Sequence, residues 1–324
     1  MANAARRRLD VAEAAELIRD RLRGWGTVHM PIDAAQGEVL RQSITAERDQ
    51  PPFDRVTMDG IAIRHSAFAA GLRTFPVAGT QSAGSAPVPL PNEKSCVAIM
   101  TGAALPPGAD TVVPVERISR EDAIAIVEAG YQPVAGQFIH RRASDHSQGA
   151  TLLSPGAVLG APELAILTVG GSDSVEVARR PAIAIISTGD ELVDVGQPLG
   201  PTQIRASNDR AIAAALATRG FLDCDRLHLP DDRAVLEREL RQLLAEQDVL
   251  ILTGGVSMGE FDFVPRVLQA LGMELVFHKV LQRPGMPLWF GMSPDGKPVF
   301  ALPGNPVSSL VCLVRYVAPS LVAA

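Results

Sequence analysis

The chain has 324 residues, too many for one compact domain, and 47% of them are hydrophobic, enough for about two or three real cores. A net charge of −6 leaves no electrostatic footprint for nucleic acid, which excludes that class of partner. The one basic run, Arg6-Arg7-Arg8, is followed by no signal-peptide apolar core. No apolar stretch is expected to reach the length of a membrane span, because Arg315 interrupts the C-terminal helix. Cys96, Cys224 and Cys312 lie far apart with no CxxC, and the six histidines show no metal-ligand spacing. That usage fits buried thiols in a reducing cytoplasm rather than a disulfide or zinc framework.

Asp10-Val11-Ala12-Glu13 reads as a helix start with a capping-box pattern. Val11, Ala14, Ala15, Ile18 and Leu22 then form an apolar stripe that Gly24 ends. Residues 51–139 are dense in Pro and Gly with short β-branched runs, the texture of a small β domain with many turns. Within it, Met58-Asp59-Gly60 puts a carboxylate at a turn, and Met100-Thr101-Gly102 closes a strand with a hydroxyl. Taken singly, both are explained as turn and strand-end residues. His140-Arg141-Arg142 is a basic cluster followed by Asp145, and Pro162 suits the first turn of a helix that stops at Gly170-Gly171. The segment 140–178 is expected to pair with the N-terminal helix, the β domain being inserted between them.

From residue 180 strands and helices alternate. Strands are predicted at 183–186, 222–229, 249–252, 274–280 and 299–302. Helices are predicted at 208–219, capped by Ser207 or Asn208, at 233–246, capped by Asp231 or Asp232, and after Pro306. This alternation implies an α/β domain with a mostly parallel sheet. Its centre is the stretch DVLILTGGVSMGEFD, residues 248–262. A buried strand ends in Gly254-Gly255, passes Ser257 and Gly259, and leads into a helical pattern from Phe263. Such a loop presents bare N–H groups to an anion, although a tight turn alone would use the same glycines. It is neither a Walker loop nor a GxGxxG fingerprint.

In open α/β sheets ligands sit beyond the carboxyl ends of the strands. Those ends carry Ser187-Thr188-Gly189-Asp190-Glu191, then Asp231-Asp232, then the glycine loop with Asp262, then Pro303-Gly304-Asn305-Pro306 with Ser308 and Ser309. One edge thus gathers carboxylates, hydroxyls and glycine N–H groups. Carboxylates beside an anion loop call for a bridging hard cation such as Mg²⁺. Lys279, Arg283 and the turn Pro284-Gly285 add positive charge. Helix capping explains one of Asp231 and Asp232 as well as chemistry does.

With these strings in order, the sequence resembles the molybdopterin molybdenumtransferase family, of the MoeA and gephyrin E-domain type. The carrying stretches are MDG (58–60), MTGAALPPGADTVVPVE (100–116), STGDEL (187–192), TGGVSMGEFD (253–262), RPGMP (283–287) and LPGNPVS (302–308). The resemblance implies an α/β domain of the molybdopterin-binding, MogA-like kind at 179–324, an inserted β domain at 49–139, and a discontinuous mixed α/β domain from 1–48 and 140–178. It implies a cytoplasmic homodimer, with molybdopterin adenylyltransferase as upstream partner. The implied reaction takes adenylylated molybdopterin and molybdate, hydrolyses the phosphoanhydride with Mg²⁺ and releases AMP as molybdenum enters the dithiolene. Asp59, Thr101, Glu191, Asp231 and Asp262 match active-site positions, with Glu191 and Asp262 as metal carboxylates. Lys279 and Arg283 match basic positions. Thr188, Gly189, Gly254, Gly255, Ser257, Gly259, Pro303, Gly304, Asn305, Pro306 and Ser308 are the expected cofactor-binding set.

Four departures stand out. Met286 replaces the family's usual lysine, Arg205-Ala206-Ser207-Asn208 lacks an acidic residue before Ser-Asn, and Ala143-Ser144-Asp145 replaces Gly-Glu-Asp. The family's C-terminal β domain has no counterpart in this sequence. Two other functions fit the same chain: a non-catalytic role that holds the cofactor or serves as a scaffold, and adenylyl transfer. The inserted β domain argues against the latter. Retention of Asp59, Thr101, Glu191 and Asp262 argues for catalysis, since a scaffold needs none of them.

Overall fold

The alternating pattern after residue 180 folds into one six-stranded sheet in a computed structural model that describes residues 8–256 and 263–324. Ile183–Thr188 pairs in parallel with Cys224–Leu229 on one side and Val249–Thr253 on the other. Pro298–Leu302 pairs in parallel with Val249–Thr253, then Trp289–Met292 and Glu274–His278 extend the sheet by antiparallel pairing. The strand Trp289–Met292 is not among those expected from sequence. The apolar runs are buried on both faces, as parallel strands require. Ile183 and Ile185 pack with Ile212, Leu216 and Phe300, whereas Ala184 and Ile186 pack with Leu236, Leu240 and Val267. The helices Asn208–Ala217 and Arg233–Glu246 therefore cover opposite faces.

The chain divides into two compact units, Met1–Val28 with Ala178–Ala324, and His29–Val177. The N-terminal helix, Val11–Arg21, starts where Asp10 Oδ1 accepts the Glu13 N–H at 2.8 Å. The expectation that it joins residues 140–178 fails, because it packs in the α/β unit. Its buried Ala14 and Ile18 lie in one cluster with Leu313, Tyr316 and Val317. Apolar surface buries where a complementary face exists, and the C-terminal helix supplies it.

That C-terminal run also corrects an expectation. Pro306–Cys312, a π turn at Leu313–Val317 and Ala318–Ala323 form one continuous helical rod. Over Pro306–Ala323 its 18 residues have a mean hydropathy of 1.5, so it does reach the length and composition of a membrane span. Cys312, Leu313, Tyr316, Val317 and Leu321 are buried in the core beside Phe300 and Leu302, whereas Val307, Val314 and Val322 are exposed, so one face of the rod packs on the core and the other does not.

The second unit holds another six-stranded sheet, in the order Thr111–Pro114, Gly60–Ile63, Cys96–Ile99, Thr74–Gln81, Ile124–Val127, Ile118–Glu121. Only the pairing of Thr74–Gln81 with Cys96–Ile99 is parallel. Ile61, Ile63, Phe75 and Val113 fill one cluster, and a separate cluster joins Leu40 and Ile44 to Leu159, Leu167 and Val177.

Candidate functional site

The carboxyl ends of the parallel strands enclose a cleft of about 480 Å³. Each strand ends in polar or glycine residues because its apolar run stops there. Thr188, Gly189 and Glu191 come from the Ile183 strand, Asp231 from the loop after Leu229, Thr253 to Val256 from the Val249 strand, and Pro303, Gly304, Asn305 and Ser308 from the last strand.

The glycine pair is fixed by close packing. Gly254 and Gly255 have φ of +98° and +60°. A Cβ on Gly254 would stand 2.5 Å from the Thr188 carbonyl oxygen. Thr188 itself is buried, and its Oγ1 has no hydrogen-bond partner among the described residues. A buried orphan hydroxyl costs on the order of 1–3 kcal/mol unless a ligand or water engages it. Asn208 staples the neighbouring loops, donating from Nδ2 to Thr253 Oγ1 and to the Gly304 carbonyl, both at 2.8 Å. It is therefore not the helix cap that the sequence allows. Ser207 holds the N-cap position, without a side-chain bond.

The two neighbouring aspartates separate cleanly. Asp232 caps the helix Arg233–Glu246, its Oδ1 accepting the Val235 N–H at 2.9 Å. Asp231 faces the cleft and donates its backbone N–H to Asp190 Oδ1 at 3.1 Å. His228 Nε2 bonds the Gly189 carbonyl at 2.9 Å, tying the first strand end to its neighbour.

His278 supports the glycine loop from beneath, its Nε2 lying 3.2 Å from the Val256 carbonyl, which makes that nitrogen the donor. Burial holds its pKa below the ordinary 6.5, the Val256 bond opposing and the Lys279 charge adding to the depression. The folded ring is therefore neutral where the unfolded ring would take a proton. Its stabilisation is complete above about pH 6.5 and is lost as pH falls toward the depressed folded value. Urea midpoints at pH 8 and pH 5.5 should fall less steeply with acid in His278→Gln than in wild type. Equal slopes would remove His278 from the acid response.

In the other unit Asp59 is exposed and accepts two hydrogen bonds from Thr101, from the hydroxyl and the backbone N–H, both at 2.6 Å. The Thr101 hydroxyl, then its N–H, hold the Asp59 carboxyl below the usual range, against a small opposing effect of burial. Thr101→Val keeps only the N–H, so carboxyl NMR should show the Asp59 pKa rising toward that of an ordinary aspartate. An unmoved titration would mean the hydroxyl bond is not formed in solution.

Residues 9–171 match the family described as the MoeA N-terminal region (domain I and II), and residues 184–323 match a probable molybdopterin binding domain. A molybdopterin molybdenumtransferase from Synechocystis sp. is 41% identical over 309 residues, covering 95% of this chain and 79% of that protein. One from Synechococcus elongatus is 36% identical over 303 residues, covering 91% and 74%. The crystal structure of the molybdopterin biosynthesis moea protein from Pyrococcus horikosii superposes with a TM-score of 0.83 at 30% identity, over 98% of this chain and 80% of that one. The chain belongs to the molybdopterin molybdenumtransferase family.

Of the positions expected from the molybdopterin molybdenumtransferase family, Thr188, Gly189, Glu191, Asp231, Gly254, Gly255, Pro303, Gly304, Asn305 and Ser308 line one cleft. Ser257, Gly259 and Asp262 lie outside the described residues. Pro306, Lys279 and Arg283 are not among the residues lining it. Pro306 is the first residue of its helix, after Asn305 caps it by accepting the Ser308 N–H at 3.1 Å. Asn208, Thr253, Val256, Leu192, Ile204 and Pro287 line the cleft in addition to the expected set. For Asn208 the sequence carries a signal, an amide at the first helical position after a strand end, but capping explains it equally well. Among the described residues no group of three or more His, Cys, Asp or Glu side chains gathers as a metal centre.

Proposed function

We propose that the cleft takes adenylylated molybdopterin and molybdate, that the phosphoanhydride is hydrolysed there, and that AMP leaves as molybdenum enters the dithiolene. The chain is a transferase of molybdenum cofactor biosynthesis. The observation that carries the finer reading is the pairing of Glu191 and Asp231 with the orphaned Thr188 hydroxyl in one cleft. The substrates are oxyanions, and they want donors of the kind the Thr188 and Ser308 hydroxyls offer.

Two carboxylates beside a polyanion repel it unless a cation stands between. Glu191 and Asp231 are hard oxygen donors of the type Mg²⁺ takes, with Asp262 as a further carboxylate in sequence. When bound, Mg²⁺ neutralises charge on the anhydride. Glu191 and Asp231 are the cleft residues that would hold that cation. Thr188 orients a phosphate or molybdate oxygen, and the Asn208 bonds keep the strand ends fixed around it. The test is incubation with adenylylated molybdopterin, Mg²⁺ and molybdate, following AMP. Tight pterin binding without AMP would leave a cofactor-holding role instead.

The working form is read as a homodimer in the cytoplasm, supplied by molybdopterin adenylyltransferase. The dimer accounts for the Asp59–Thr101 pair as part of a composite site with the α/β cleft of a second copy. Light scattering at micromolar concentration should give twice the chain mass, and a monomer would remove the composite site.

A further inference from the structure

The residues 279–288 form a tight loop beside the cleft. The Lys279 N–H donates to the Leu288 carbonyl at 2.8 Å and the Val280 N–H to the Met286 carbonyl at 2.9 Å. Leu9 crosses its base, its carbonyl accepting the Leu281 N–H at 2.7 Å. Pro287 lines the cleft, and Arg283 is exposed at the tip with no ion pair among the described residues.

Beneath that tip lies a polar knot inside an otherwise apolar core. Gln282 Nε2 donates to the Gly285 carbonyl at 3.1 Å, and Gln282 Oε1 accepts the Tyr316 hydroxyl at 2.6 Å. The same carbonyl accepts Cys312 Sγ–H at 3.3 Å. Tyr316 and Cys312 are both fully buried, one turn apart on the C-terminal rod where its backbone opens into the π turn. Burial pushes the Cys312 thiol up to about 12, with the Gln282 bond opposing, so it stays a donor at neutral pH. Gly285 has φ of +98°, and a Cβ there would strike Gln282 Nε2 and stand 2.7 Å from Cys312 Sγ. The tip thus rests directly on the knot. Packing alone does not require this, since a core phenylalanine would fill the Tyr316 site without needing a partner.

We propose that Tyr316, Cys312 and Gln282 are positioning residues that hold the loop of residues 279–288, so that Pro287 stays in the lining of the cleft and the exposed Arg283, outside that lining, stays beside its mouth for an incoming oxyanion. The substrate half of this statement rests on the function proposed above, while the holding half does not. Tyr316→Phe keeps the ring and deletes only the hydroxyl that fixes Gln282. Without any ligand, amide exchange at Val280 and Leu281 should quicken on the order of tenfold, with the sheet amides unchanged. Affinity for adenylylated molybdopterin should fall on the order of tenfold, as outer partners of a binding group do. Arg283→Ala should lose a similar amount, and adding Tyr316→Phe to it should cost nothing further, because both act through one side chain. Gln282→Leu should repeat the Tyr316→Phe pattern and guards against a folding effect peculiar to the tyrosine. Unchanged loop exchange in both variants would overturn the holding role. Additive losses of affinity would overturn the route through Arg283. Quickened exchange in a protein that never binds adenylylated molybdopterin would keep the holding role and sink the functional reading.

Discussion

Asp231→Asn and Glu191→Gln are each expected to slow AMP release about 10²- to 10³-fold while the pterin stays bound. Both side chains line the strand-end cleft, and each substitution removes charge while keeping shape. Charge stabilisation of a breaking phosphoanhydride is used mainly in the transition state, so the loss belongs in the rate rather than in substrate affinity. Affinity measured without Mg²⁺ should hold or tighten, because a carboxylate that repels the phosphates has gone. Asp232→Asn is the internal control. Asp232 caps the next helix, and asparagine caps as well as aspartate does, so turnover and melting should stay near wild type. Wild-type AMP release in both cleft variants would reduce Glu191 and Asp231 to loop residues. Equal losses in Asp231→Asn and Asp232→Asn would mean that disturbance of the loop, and not the cleft charge, is being measured.

Much of this site is legible in the amino-acid sequence, because its logic is topological. A parallel sheet sends every strand end to one edge, and the apolar runs of Ile183, Val249 and Val299 mark those ends plainly. Sequence does not separate which of two adjacent residues caps and which faces the ligand. Asp231 and Asp232 differ only in backbone direction, and Asn208 only in whether its amide turns back on its own helix or across to Thr253. The placement of the N-terminal helix is hidden for a related reason. Its stripe says that one face is buried but not against what, and the partner is a rod at the far end of the chain. The strand Trp289–Met292 escapes because it carries only four residues and its pairing partners are antiparallel, so the strand–helix rhythm gives no cue. The hydropathy of the C-terminal rod is easily underestimated because Arg315 weighs as a break in a sequence scan, whereas the helix simply carries it past the core.

Gly254→Ala should destabilise the α/β unit by about 2–4 kcal/mol and lower its melting temperature by about 5 to 15 °C. Two separate costs add. At a φ of +98° any side chain carries a penalty of about 1 kcal/mol or a little more. The new Cβ would also stand 2.5 Å from the Thr188 carbonyl oxygen and 3.0 Å from its Oγ1, so the loop or the strand end must shift. Gly296→Ala isolates the first cost, since Gly296 has a φ of +80° in a turn with nothing within 4 Å of its Cβ position. Its melt should fall by only about 2–4 °C. The difference between the two variants measures how tightly the glycine loop is pressed onto the first strand. A loop forced off Thr188 also shifts Gly254 and Gly255 in the lining of the cleft, so oxyanion affinity should fall in Gly254→Ala and be untouched in Gly296→Ala. If the two melts fall equally, the glycine is there for its backbone angle alone. If the Gly254→Ala melt drops as expected but affinity does not, the close packing serves the sheet and the ligand is held by other groups of the cleft.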